Sequence, residues 1–125
     1  MKYSLIWLAT MVILFAEVNY SKQYDHCMDN SNGITSVMLN CESDEMEKQK
    51  KLLNANYKKV IATLNQEKRL ELKRSQQSWL KYRDAKCDFF YGLTGGTVDL
   101  LNGSDCFLEM IATRAYELSN LVEED

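Results

Sequence analysis

The stretch Leu72-Lys-Arg-Ser-Gln-Gln-Ser-Trp-Leu-Lys-Tyr-Arg-Asp-Ala-Lys-Cys-Asp-Phe-Phe90 decides the fold. Leu72, Gln76, Trp79, Leu80, Arg83, Cys87 and Phe90 recur three or four residues apart, the spacing that gathers side chains on one side of an α-helix. The same interval governs Leu53, Tyr57, Val60, Ile61 and Leu64 upstream, with Lys50, Lys51, Lys58 and Lys59 on the opposite face. Downstream it governs Phe107, Met110, Ile111, Arg114, Leu118 and Leu121. With no proline and only five glycines in 125 residues, little in the chain would break such helices. Amphipathic helices of this kind can bury their stripes only against one another, which predicts an all-α fold: a small, disulfide-stapled helical bundle of three long helices and a short N-terminal one.

The boundaries follow from local residue chemistry. Ser21 to Gly33 is polar and rich in turn formers, and reads as an extended lead-in. Ile34 to Cys41 is expected to form the short helix, and Asp44 to cap the first long one, with Glu45 and Glu47 in its first turn. The pattern loosens at Asn65 to Lys68, where a turn or kink is expected. Glycines at 92, 95 and 96 end the next helix and open a loop expected to reach Asn102-Gly103, with Ser104 or Asp105 capping the last helix. No internal repeat or low-complexity tract is present.

Length allows one domain, and 46% apolar with 26% charged residues suits a packed globule. The first residues differ from the rest. Lys2 precedes an apolar run from Leu5 to Ala16 interrupted only by Thr10, the form of a signal-peptide core. The run falls short of the roughly 20 residues that a spanning helix needs. Residues 1–21 are therefore expected to be a signal peptide, cut after Ala16 or after Ser21, ahead of a single domain over 22–125 in a periplasmic or secreted protein without a membrane span.

Four cysteines follow, Cys27, Cys41, Cys87 and Cys106, an even number in a chain expected to be exported, and disulfides are their natural use. Of the three connectivities the local ones are favoured, Cys27 with Cys41 and Cys87 with Cys106, each closing about 15 to 20 residues and contributing about 3 kcal/mol. Zinc is disfavoured, because no Cys-x-x-Cys pair occurs. His26, the single histidine, has no motif partner and is expected to be an exposed turn residue.

Several functions lack a residue set. The glycine loop has no P-loop lysine, and no Ser-His-Asp or Cys-His set can be assembled. No carboxylate pair shares an apolar setting that would separate its two pKa values. Neither enzyme activity, metal nor cofactor is expected, and export argues against nucleic acid. Gln76 and Arg83 beside Trp79 are unusual on an inward face and are read as a satisfied polar network, with Asp84, Glu117, Asp44 and Asn54 as candidate partners for the guanidinium. As a disulfide-closed surface loop, Gly92 to Gly103 is the best candidate for contact with another protein.

Charge is unevenly spread: residues 45–75 hold nine Lys/Arg against four acids, and 99–125 hold seven acids against Arg114 alone. A basic helical hairpin and an acidic tail ending in Glu123, Glu124 and Asp125 are expected.

The succession Thr35-x-x-Met38-x-x-Cys41, Leu53-Asn54-x-x-Tyr57, Gln76-x-x-Trp79-Leu-x-Tyr82-Arg83-Asp84-x-x-Cys87, Gly95-Gly96-Thr97, Cys106 and Arg114 resembles the LprI-type family, named for a lysozyme inhibitor. The resemblance implies an exported helical domain with cysteine staples, no cofactor and no known enzyme activity. It also makes lysozyme inhibition the activity to test. An acidic surface would speed encounter with a cationic lysozyme, so the expected contact is Gly95, Gly96, Thr97, Asp99, Asp105 and Glu109 and not the basic hairpin. The alternative is an envelope-binding module whose lysine face holds anionic cell-wall polymer or lipid.

Overall fold

The computed structural model describes residues 18–121; the apolar run at 5–16, expected to be a signal-peptide core, and the acidic tail lie outside them. Among the described residues there are four helices and no strand: α1 (Lys22–Asp29), α2 (Thr35–Thr63), α3 (Gln66–Asp88) and α4 (Val98–Ser119). The all-α bundle of three long helices and one short one is thus the fold, and both local disulfides are present, Cys27–Cys41 and Cys87–Cys106.

Three boundaries differ from the expectation. The lead-in is itself the short helix, because Ser21 caps it, its hydroxyl accepting from the Tyr24 N–H at 3.2 Å. The chain then turns through Asn32 and Gly33, both left-handed at φ 51° and 71°, into a single α2. Asp44 is an exposed residue in the middle of α2 and not its cap, since nothing between Thr35 and Thr63 interrupts the hydrogen-bond ladder. The α2–α3 break falls at Leu64 and Asn65, whose side chain accepts from the Lys68 N–H at 2.9 Å. Finally, α4 begins at Val98, six residues before the expected Ser104 cap. Gly103 is inside it because the Tyr91 ring occupies the place of a side chain: a Cβ at 103 would lie 2.4 Å from Tyr91 Cζ.

The dominant contact is α2 against α4. The two run in the same direction, since Glu42 lies beside Ser104 and the Asn56 amide donates to the Ala115 carbonyl at 2.9 Å. From α4 come Leu108, Ile111, Ala112, Ala115 and Leu118, all buried. The facing side of α2 is half polar: Glu42, Glu45, Gln49, Leu53, Asn56 and Val60 are all buried at helical spacing. Burial of polar groups is tolerable only with partners, and Glu45 has them. It accepts from the Ser21 N–H at 3.0 Å, the Ser21 hydroxyl at 2.5 Å and the Gln49 amide at 2.9 Å, so the segment before α1 is strapped onto α2.

α3 runs antiparallel to both and packs less, mainly on α4. Only Cys87 of its stripe is fully buried; Leu72, Gln76, Trp79 and Arg83 are half-buried and Leu80 is exposed. Besides the disulfide, Arg114 holds it, donating to Gln76 Oε1 at 2.9 Å and Ser75 Oγ at 3.4 Å.

Two outcomes follow. Alanine favours a helix interior over glycine by about 1 kcal/mol, so Gly103→Ala should stabilise the protein in a Tyr91→Ala background and lose that gain, or reverse it, beside the native tyrosine; thermal unfolding of the four-member cycle measures this. The second concerns pH. Burial raises the Glu42 carboxyl, with the Ser104 hydroxyl offsetting part of the effect, and its Oε2 has no hydrogen-bond partner. Burial alone would raise Glu45 too, but its donors from Ser21 and Gln49 outweigh it and hold the group below its ordinary value of 4.5. A raised folded pKa favours the fold in acid and ceases to do so as pH rises through it, and a lowered one does the reverse. Glu42→Gln should therefore raise Tm at neutral pH, with the gain shrinking toward pH 4.5. Glu45→Gln should lower Tm at neutral pH, with the deficit shrinking as pH falls below that value. Equal pH profiles for both variants would contradict the assignment.

Candidate functional site

The bundle carries two distinct surface features, one at the α3–α4 loop and one along the α2–α3 hairpin. In the loop, Gly92 and Gly95 take left-handed φ values of 75° and 80°, which side chains disfavour. Asp99, from the first turn of α4, folds back over the loop. Its carboxylate accepts from Thr94 Oγ1 at 2.7 Å, Thr94 N–H at 2.9 Å and Gly95 N–H at 3.0 Å. The Thr94 hydroxyl is the main cause holding this carboxyl below the usual range, and the side chain is 3% exposed. Asp99 is thus occupied within the loop, while Gly95, Gly96 and Thr97 are exposed.

The sequence pattern gave no warning of what surrounds this clasp. Phe89, Tyr91, Leu93, Val98 and Leu100 are all exposed, with Phe89 at 65% and Leu93 at 54%. Five large apolar side chains within a twelve-residue span, fixed by a disulfide at Cys87 and by Asp99, make one apolar end of the molecule. Further along α4, Asp105 and Glu109 are exposed about one turn apart. Loss of water on its inner side, and then the Glu109 charge, push the Asp105 carboxyl above the usual range.

The second feature gathers most of the sequence block between Leu53 and Arg83. Leu53, Asn54 and Tyr57 of α2 face Gln76, Trp79 and Arg83 of α3 across a trough of about 410 Å³ whose floor includes Ile111. The Arg83 guanidinium lies over the Trp79 ring at 5.4 Å and the Phe107 ring at 5.5 Å, and its Nε and Nη2 donate to Asp84 Oδ1 at 2.9 and 2.8 Å. Of the partners weighed for it, Asp84 is the one it bonds; Glu117 pairs with Arg114 instead, at 3.2 Å. Gln76 accepts from Arg114, which leaves its amide N–H groups to the trough. Tyr82 points away, 61% exposed. The trough therefore presents apolar walls, amide donors and cations, which are the means of binding.

The four cysteines are all in disulfides and His26 is exposed on α1 near the Asn30 amide. Among the described residues, no helix is long and apolar enough to cross a membrane.

No curated protein and no solved structure matches the chain. A family profile described as lysozyme inhibitor LprI does match, over residues 27–118, from the first disulfide cysteine almost to the end of α4. That span contains the loop clasp, the trough and both disulfides, and the family is one of inhibitors and not a known enzyme family. The chain belongs to the lysozyme inhibitor LprI family.

Proposed function

We propose that this protein is an exported inhibitor that blocks a lysozyme by protein contact through the α3–α4 loop and the start of α4. The observation that carries the reading is the apolar end of the bundle: Phe89 and Leu93 before the glycines and Val98 and Leu100 in the first turn of α4 are exposed, with Tyr91 partly exposed against Gly103, around a loop held from both sides. Contiguous exposed apolar groups on a fixed element are what a protein interface uses, since a rigid loop loses little entropy on docking. Asp105 and Glu109, exposed further along α4 on the side of Tyr20 and Tyr24, supply charge complementary to a cationic enzyme, which raises the encounter rate. Asp99 contributes through loop rigidity, because its oxygens are already engaged. Export fits the two disulfides and the leader run, with cleavage after Ala16 favoured because Ser21 both caps α1 and straps Glu45.

Lysis of cell-wall substrate by a cationic lysozyme, followed with increasing purified protein, tests this. Inhibition is expected at micromolar concentration. Leu93→Asp should weaken it by about tenfold or more, as loss of an interface anchor does. The pair Asp105→Lys and Glu109→Lys should slow association and flatten its salt dependence. Absence of inhibition, or an unchanged effect after replacing Gly95 and Gly96, rejects the reading.

A second reading has one observation in its favour: Lys50, Lys51, Lys58 and Lys59 are exposed along α2 with no ion-pair partner among the described residues. On that reading the protein is an envelope-binding module holding anionic polymer or lipid. Salt-sensitive retention on cell-wall polymer or anionic vesicles, abolished by reversing the four charges, would favour it over inhibition.

A further inference from the structure

We infer that the α2–α3 trough is a docking groove for a short amphipathic helix with acidic flanks, supplied by a partner protein. This goes beyond the inhibitor reading: it uses a different face and a partner of opposite charge.

The first ground is the shape of the walls. Lys50, Leu53, Asn54 and Tyr57 are spaced i, i+3, i+4 and i+7 on α2, and Lys73, Gln76, Gln77 and Leu80 repeat that spacing on α3. Each wall is thus a two-turn helical ridge, about 10 Å long at 1.5 Å per residue. The ridges stand apart, because the tight turn at Leu64–Asn65 joins one end and the other end of α3 is held to α4 by Cys87–Cys106 and not to α2. The space between two splayed, antiparallel ridges is what a third helix fills with its own i, i+3 or i+4, and i+7 side chains.

Charge is the second ground. No carboxylate lines the trough, and its ammonium groups stand on opposite walls, Lys50 on α2 and Lys73 on α3. Neither makes a hydrogen bond or ion pair among the described residues. A helix with a carboxylate on each side of its apolar strip would meet one cation on each wall.

The state of Trp79 argues against a sugar or nucleobase as occupant. One face of its ring lies under the Arg83 guanidinium, and the ring packs on the cluster of Leu53, Ile111, Ala115 and Leu118. It is a wall against which aliphatic side chains can pack and not a free stacking platform.

The test uses the exported protein, Glu17 to Asp125, in which Trp79 is the one indole and reports from the groove wall. The probe is a synthetic peptide of about 15 residues, with Leu at i, i+3, i+4 and i+7 and Glu on both flanks. Controls are the same peptide with Lys for Glu, the same with Ser for Leu, and phosphatidylglycerol vesicles. The acidic apolar peptide should shift Trp79 emission to the blue and gain helicity, and the two control peptides should do neither. Lys50→Glu combined with Lys73→Glu should weaken binding by about tenfold or more, and Leu80→Asp, at an exposed wall position, should do the same without altering the far-UV spectrum. The inference is overturned if the acidic peptide leaves Trp79 emission unmoved, if the Lys version binds equally, if the double charge reversal has no effect, or if only vesicles bind.

Discussion

The architecture depends on the close approach of α2 to α4. Ala112 and Ala115 leave room for it, and Asn56 uses that room to reach the backbone of α4 itself, donating to the Ala115 carbonyl. A side chain that bonds the main chain of a neighbouring helix fixes both separation and register, which Leu and Ile contacts alone would leave looser. Around this bond the apolar members of the seam, Leu53 and Val60 with Leu108, Ile111 and Leu118, exclude water; of the polar members Glu45, Gln49 and Asn56 have partners, while Glu42 keeps one oxygen without any. Glu45 does this by binding Ser21, so the same residue that would penalise the core if unpartnered secures the N-terminal segment and positions the first disulfide.

α3 is then held mainly to α4, at one end and at its middle, and to α2 only near the turn. Cys87 ties one end to α4, the Arg114–Gln76 bond ties the middle to the same helix, and α2 is joined by the Leu64–Asn65 turn and by Arg69, whose Nε donates to the Ile61 carbonyl at 2.9 Å. The trough between α2 and α3 is the direct result, as is the apolar end, since the segment that closes the second disulfide is too short and too glycine-rich to bury its own Phe and Leu side chains. Both candidate surfaces arise because the strongest helix pair is formed by elements that are not neighbours in sequence. They also separate charge: acids stand near the start of α4, and lysines along α2 and α3.

The three long helices, the α2–α3 turn and both disulfide pairings were legible in the chain, because they rest on period, cysteine spacing and the absence of proline; α1 was not, its polar residues reading as an extended lead-in. What escaped was the polar half of the α2 seam. Glu42, Glu45, Gln49 and Asn56 keep the same spacing as Leu53 and Val60, but a reading that weights only apolar residues tracks Tyr57 and Ile61, which are half-buried, and passes over them. Helical periodicity of amides and carboxylates in register with apolar residues is the signal that could have found them. The start of α4 was misplaced for a related reason: Gly103 reads as a loop residue until the Tyr91 ring is seen in the place of its side chain. The block from Gln76 to Arg83 was read as an internal polar network; Arg83 does find Asp84, yet the same residues also form a wall of the open α2–α3 trough, a dual placement that one helix face cannot reveal.

Native-state hydrogen exchange measures this hierarchy most directly. If the α2–α4 seam is the centre of the fold, amides of α2 near Glu45 to Val60 and of α4 near Leu108 to Leu118 should be the slowest to exchange and should do so together, through global unfolding, with the middle of α3 opening at lower free energy. Equal protection along α3, or separate exchange of α2 and α4, would contradict the account.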